Sequence, residues 1–116
     1  MSIKRIDCGK RLSQAVVHGN TIYLAGQVAA DKPGASVAEQ TKNILDRIDA
    51  LLAQEGSDKT KILSANIWIT DMRQFDEMNA VWDTWVPAGN APARATVESR
   101  LATPQYSVEI MCVAAK

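Results

Sequence analysis

Side chains that carry metal, redox or nucleophile chemistry are scarce in this 116-residue sequence, which has one histidine, two cysteines and 5% aromatic residues. The cysteines, Cys8 and Cys112, stand at opposite ends of the chain and form no CxxC or zinc-ligand spacing. Both read as small apolar fillers. No cysteine or carboxylate stands at ligand spacing from His18, which adjoins Gly19 and reads as a turn residue; no metal site is expected. GxGxxG, P-loop and GxSxG elements are missing, which removes the phosphate-cradling and serine-nucleophile signatures. A charge excess is missing as well: 13 Lys and Arg balance 13 Asp and Glu. Nonspecific nucleic-acid binding therefore has no basic footprint and few rings for base stacking, and there is no polybasic membrane anchor. No apolar run approaches the roughly 20 residues of a membrane span. The opening Met1-Ser2-Ile3-Lys4-Arg5-Ile6-Asp7 contains no apolar signal core, so a cytoplasmic location with reduced thiols is expected.

What is present is the balance of an ordinary globular domain, 47% hydrophobic and 22% charged. No repeat, low-complexity tract or linker divides it, so residues 1–116 read as one domain. Strands are predicted at Lys4–Cys8, Gln14–His18 and Thr21–Ala25, the last two flanking the hairpin turn Gly19-Asn20. Ser36 and Glu39 read as a capping box before a helix whose stripe is Val37, Thr41, Ile44, Leu45, Ile48, Leu51 and Leu52, with Gly56 just past its end. Ile62–Thr70 reads as a long strand that alternates Leu63, Ala65, Ile67 and Ile69 onto one face. A second helix opens near Asp71, with Gln74 as capping partner, carries Phe75, Met78, Trp82 and Trp85 or Val86, and ends at Pro87 and Gly89. Its Trp and Met stripe reads as core or subunit contact. Strands near Arg94–Ser99 and Tyr106–Ala115 follow.

The order β-β-β-α-β-α-β-β is an α+β fold with one sheet and both helices packed on one face. Both alternating sets of the last strand, Tyr106/Val108/Ile110/Cys112/Ala114 and Met111/Val113/Ala115, are apolar. Two helices cannot cover two faces, so a further subunit is expected on the second, most economically in a symmetric homo-oligomer.

Two residues stand out chemically. Glu109 lies in phase with Met111 and Val113, so period 2 aims its carboxylate among apolar neighbours. Desolvation there raises a carboxyl pKa toward the range of a general acid or base; a strand-edge Glu that reaches water or a cation fits the same spacing. Arg94 sits between small residues, Ala91-Pro92-Ala93 and Ala95. Its planar fork suits a substrate carboxylate, although the residue taken alone reads first as an ordinary surface or ion-pairing arginine.

Several stretches together resemble the YjgF/Rid family: Arg11-Leu12-Ser13-Gln14-Ala15-Val16, Gly19-Asn20, Ala25-Gly26-Gln27, Ala91-Pro92-Ala93-Arg94-Ala95-Thr96-Val97 and Val108-Glu109-Ile110. The resemblance covers essentially the whole chain, and Asp83-Thr84-Trp85-Val86 looks most like the YoaB-type branch. It implies a chorismate-mutase-like fold, a homotrimer with clefts between subunits, and hydrolysis of reactive 2-imino or 2-enamino acids such as 2-aminoacrylate to 2-oxo acids and ammonia. It also implies that Arg94 binds the substrate carboxylate and Glu109 positions or activates water, with no metal or cofactor required. Gly26, Thr96, Leu12 and Ala25 fall at substrate-binding positions. The last three depart from the pattern: Leu12 stands where the family carries Tyr, Ala25 where it carries Ser, and Thr96 where Cys is common. Backbone groups at Gly26 and Thr96 remain available to a ligand, and Trp82 or Trp85 is a candidate to reshape the pocket. The rival readings are a non-catalytic trimer that binds a small 2-oxo or amino acid and, with less support from the charge balance, an endoribonuclease or translation inhibitor.

Overall fold

The computed structural model describes residues 2–116. Strands β1 (Ile3–Ile6), β2 (Ala15–His18), β3 (Thr21–Leu24) and β4 (Gln27–Val28) precede helix α1 (Val37–Gln54). Strand β5 (Ile62–Ile69), helix α2 (Phe75–Trp85), strand β6 (Ala93–Glu98) and strand β7 (Val108–Ala115) follow. They form a single mixed sheet in the order β1-β2-β3-β7-β5-β6, with β4 also paired to β7. Only β5 and β6 run parallel, as a strand–helix–strand unit joined through α2 requires.

Local chemistry sets most of these boundaries. The β2–β3 hairpin closes on Gly19 at φ 61, a left-handed position that glycine occupies without steric cost. Ser36 caps α1 by accepting a hydrogen bond from the Glu39 N–H at 3.1 Å, and its own hydroxyl donates to the Glu39 carboxylate. The C-terminus of α1 closes with Gly56 at φ 71, its N–H on the Ala53 carbonyl and the Ser57 N–H on Leu52. That is the paired-bond Schellman arrangement a glycine at this position permits. Ile44, Leu45, Ile48 and Leu52 of α1 are fully buried, each worth about 1.5–3 kcal/mol as an upper estimate for removal from water. They pack on the sheet face that carries Ile22, Leu24, Ala65, Ile67, Ile69, Val108, Ile110, Cys112 and Ala114. Met78, Trp82 and Trp85 of α2 close the same core, as expected for their stripe.

The other sheet face has no helix. Along β7, Glu109, Met111, Val113 and Ala115 are only partly buried while their alternates are buried. Tyr23 and Val97 on this side are 48% and 49% exposed. An apolar sheet face is thus left open by a single chain.

Four sequence expectations need correction. Strand β1 stops at Ile6 rather than Cys8 because Asp7 takes φ 50, which breaks extended pairing. A register shift between Ile62 and Ser64 in β5 turns Leu63 outward, 54% exposed, and puts Ile62 in the core in its place; a bulge inverts alternation locally. Asp71 caps a short 3-10 turn, Met72–Gln74, through the Arg73 N–H. Helix α2 begins after that turn, and Gln74 makes no side-chain capping bond. The last strand begins at Val108 rather than Tyr106, after the Ser107 N–H has gone to the Gln40 side chain. Two-residue β4 was not foreseen, being too short to show alternation.

Candidate functional site

The Glu109 side of the site is built by a bulge. Strands β3 and β4 both pair with β7, but Tyr23 faces Val113 whereas Gln27 faces Ile110. Four steps on one strand therefore oppose three on the other, and the surplus falls at Leu24-Ala25-Gly26. The Ala25 N–H is diverted to the Gln14 carbonyl of the neighbouring segment, 2.9 Å away. Gln27 anchors the bend: its side-chain amide is buried, donates to Gln14 and to the Ala25 carbonyl, and accepts from Arg47 of α1. Gly26 is thereby pressed against Glu109. A Cβ built on Gly26 would lie 2.1 Å from Glu109 Oε2, so only glycine admits the carboxylate here. Among the described residues nothing donates a hydrogen bond to Glu109 and no cation pairs with it. Burial holds its pKa above the ordinary glutamate value, because desolvation disfavours the charged form.

The Arg94 side is built differently. Arg94 lies in edge strand β6, opposite Ala65, which in turn faces Cys112. That register puts its side chain on the helix-covered face. Its guanidinium carbon lies 5.2 Å from the Trp82 ring centroid and 5.8 Å from that of Phe75, and Nη1 donates to Asn79 Oδ1 at 2.8 Å. No carboxylate pairs with it among the described residues. A partly buried cation held by two rings and a neutral amide keeps its full charge for an external anion. Two residues on, Thr96 lines a cavity of about 480 Å³ with Met72, Arg73, Phe75 and Asp76. Its hydroxyl oxygen is buried without a hydrogen-bond partner.

One chain brings Gly26, Ala25 and Glu109 together, and separately Arg94 and Thr96, but it does not bring the two groups together. Glu109 faces Trp68 on β5, two strands from β6, about 10 Å at ordinary strand spacing, and points to the opposite side of the sheet. Leu12 is 53% exposed in the β1–β2 connection, two residues before the Gln14 carbonyl that holds Ala25.

The bland readings hold for most other candidates. Cys8 departs from the filler reading, being exposed, whereas Cys112 is buried and its thiol is pushed up to about 12 by desolvation, far from a thiolate at neutral pH. His18 is exposed at the end of β2. Trp85 is core, its indole N–H donating to Asp49 of α1; Trp82 is core on one side and touches the guanidinium on the other.

Asn79 and Gln27 were not foreseen as parts of a site. The spacing Phe75, Asn79, Trp82 puts all three on one flank of α2, and that signal was present in the sequence. The role of Gln27 depends on a bulge that no local pattern reveals.

A family model described as Endoribonuclease L-PSP matches residues 2–116. The RutC family protein YoaB of Escherichia coli K12 is 47% identical over 115 residues, 99% of each chain. A RutC family protein of Haemophilus influenzae is 45% identical over 114 residues, 98% of each. The crystal structure of a YjgF-family protein from Neisseria meningitidis has a TM-score of 0.96 at 46% identity, covering 100% of this chain and 96% of that one. A Rid-family protein of unknown function from Yersinia pestis has a TM-score of 0.90 at 27% identity, covering 99% of this chain and 100% of that one.

Proposed function

The chain belongs to the endoribonuclease L-PSP (YjgF/Rid) family, and from that premise we propose that it hydrolyses reactive 2-imino and 2-enamino acids, of the 2-aminoacrylate type, to 2-oxo acids and ammonia. The observation that carries this reading is Arg94: a partly buried guanidinium with no acid against it among the described residues, pre-set to receive a small carboxylate. Its fork binds the substrate carboxylate and orients the C=N carbon, which removes much of the entropic cost of attack. Glu109, unbonded and desolvated, guides water onto that carbon and passes a proton to the departing nitrogen. Water adds its oxygen to the carbon, the nitrogen takes up protons and leaves as ammonia, and the 2-oxo acid remains. Backbone groups at Gly26 and Thr96, with Leu12 and Ala25, line the cleft. No metal or cofactor enters these steps.

Because one chain separates Arg94 from Glu109, the working site lies in a cleft between copies, with the edge strand of one against the open sheet face of the next. The exposed Tyr23 and Val97 and the partly buried Met111 and Val113 supply the apolar surface for that contact, and a homotrimer is the assembly proposed. The decisive assay follows ammonia release from 2-imino acids generated in place by an amino-acid oxidase, over several side chains, with wild type beside Arg94→Ala and Glu109→Gln. Turnover by wild type that is lost in both variants supports the deaminase. Tight binding of 2-oxo acids without any turnover would replace it with a metabolite-binding module.

A further inference from the structure

We propose that Asn79 is the positioning residue of the anion fork: resting on the carboxylate-binding reading of Arg94, its neutral amide fixes the rotation of the guanidinium before any ligand arrives. Phe75, Asn79 and Trp82 stand at i, i+4 and i+7 on α2, so one helix flank supplies both the slot and the latch. The two rings restrict where the guanidinium plane can lie. Rings do not select a rotation within that slot, because their attraction for a cation has no hydrogen-bond directionality. The 2.8 Å bond from Nη1 to Asn79 Oδ1 supplies the direction.

The identity of the residue matters as much as its place. An arginine presents five N–H donors, and Asn79 engages one nitrogen while leaving donors for two parallel bonds to a carboxylate. Aspartate at 79 would hold the fork equally well but would cancel its charge. Alanine would leave the charge and release the rotation. Only a neutral acceptor both holds the fork and keeps it hungry for an anion, and a fork oriented in the free protein loses less freedom on binding.

The test uses 2-oxobutyrate, a stable 2-oxo acid, bound to the intact assembly and followed by calorimetry, alongside steady-state kinetics on 2-imino acids. Asn79→Ala is expected to weaken binding by about 10-fold and Asn79→Asp by about 100-fold, since an internal carboxylate competes directly with the ligand. Asn79→Gln, which keeps the amide, should recover binding to within about threefold of wild type. The loss should fall on KM, with kcat nearly unchanged, because Asn79 does not touch the reacting atoms. The Asp variant should melt at or above the wild-type temperature while binding worst, an ordering that a merely structural role does not produce. Separately, the Arg94 Nη signals of ligand-free wild type should be resolved in nitrogen-15 spectra, as for a guanidinium whose rotation is held; that measurement decides the matter if a variant fails to fold. A single averaged Nη signal overturns the proposal. So does unchanged 2-oxobutyrate affinity in the Ala and Asp variants while Arg94→Ala abolishes binding, an outcome that leaves the deaminase reading standing. Binding undiminished in Arg94→Ala overturns both.

Discussion

Arg94 and Glu109 sit in opposite surroundings, one held by contacts and the other left without them. The guanidinium sits on the helix-covered side of an edge strand, between Trp82 and Phe75 and tied to Asn79. The carboxylate sits on the open side of interior strand β7, against a glycine, with no hydrogen bond to it from any described residue. A permanently charged group can be held in a partly dry place only if its neighbours leave its charge intact. A titratable group is tuned by withholding partners, so that desolvation moves its pKa. In the proposed assembly the two groups are halves of one site supplied by different copies, because within a single chain the sheet stands between them.

Removing the cation should be the most damaging single change. Arg94→Ala is expected to lower kcat/KM for 2-imino acids by the equivalent of about 2–5 kcal/mol, as for other truncated charge pairs, with little change in melting temperature. The sharper form of this experiment mixes subunits. Arg94→Ala and Glu109→Gln assemblies, each inactive, are dissociated together and allowed to reassociate. If every site takes its arginine from one copy and its glutamate from the next, a random equal mixture regains about a quarter of the wild-type sites. Absence of recovery in verified mixed assemblies would place both groups in one chain and erase the contrast.

The carboxylate side breaks through its glycine. Gly26→Ala puts a Cβ where Glu109 Oε2 now lies, and the acid must swing aside. A displacement near 1 Å of a positioned group costs on the order of 100-fold in rate, so kcat should fall by about that much while 2-oxobutyrate binding through Arg94 stays near wild type. A fall in affinity that matches the fall in kcat would mean that the two halves are not separable in this way.

Much of this molecule was legible in its sequence because the helices and long strands follow simple periods. The Ser36 cap, the α1 stripe and the Gly19-Asn20 turn emerged as read, and so did the element order apart from the two-residue β4. The faces of the site were harder. Period 2 located Glu109 among apolar neighbours, but no spacing within one strand tells that Arg94 faces the helices and Glu109 faces away. That fact depends on the register between β6, β5 and β7, a long-range property. The same holds for the bulges at Leu63 and at Leu24-Ala25-Gly26, where one extra residue defeats alternation. Arg94 as a candidate anion fork came from its small neighbours and, more strongly, from resemblance; that no acid among the described residues pairs with it came only from the fold.

A smaller effect concerns pH. Glu109 has its pKa raised in the folded chain, so its protonated form is the one the fold prefers. Its contribution to stability is present below the unfolded carboxylate pKa and is lost as pH rises through the folded value. Glu109→Gln should therefore melt above wild type at neutral pH, with the gap closing at acid pH. The acid limb of the wild-type reaction should track the same group, lying above the ordinary glutamate value of about 4.3. If the neighbouring copy brings Arg94 opposite Glu109, Arg94→Ala should move the Glu109 titration, read by carbon-13 signals, further upward. An unmoved titration would show that the cation never faces the acid.

The smallest expected change lies at Thr96 and tests whether the cation side uses more than its fork. The Thr96 hydroxyl oxygen is buried without a hydrogen-bond partner, and an unsatisfied buried polar atom costs about 1–3 kcal/mol. Valine has nearly the same shape and no hydroxyl. Thr96→Val should therefore raise stability by about 1 kcal/mol, seen as a higher denaturant midpoint at unchanged slope. Only the backbone at this position is assigned to the ligand, so KM should stay within about twofold, far below the cost of losing a buried hydrogen bond to substrate. A more stable protein with a much higher KM would mean that the hydroxyl turns toward the ligand on assembly. The arginine would then act with a second donor, and the contact-rich side of the site would reach beyond the cage of Phe75, Asn79 and Trp82.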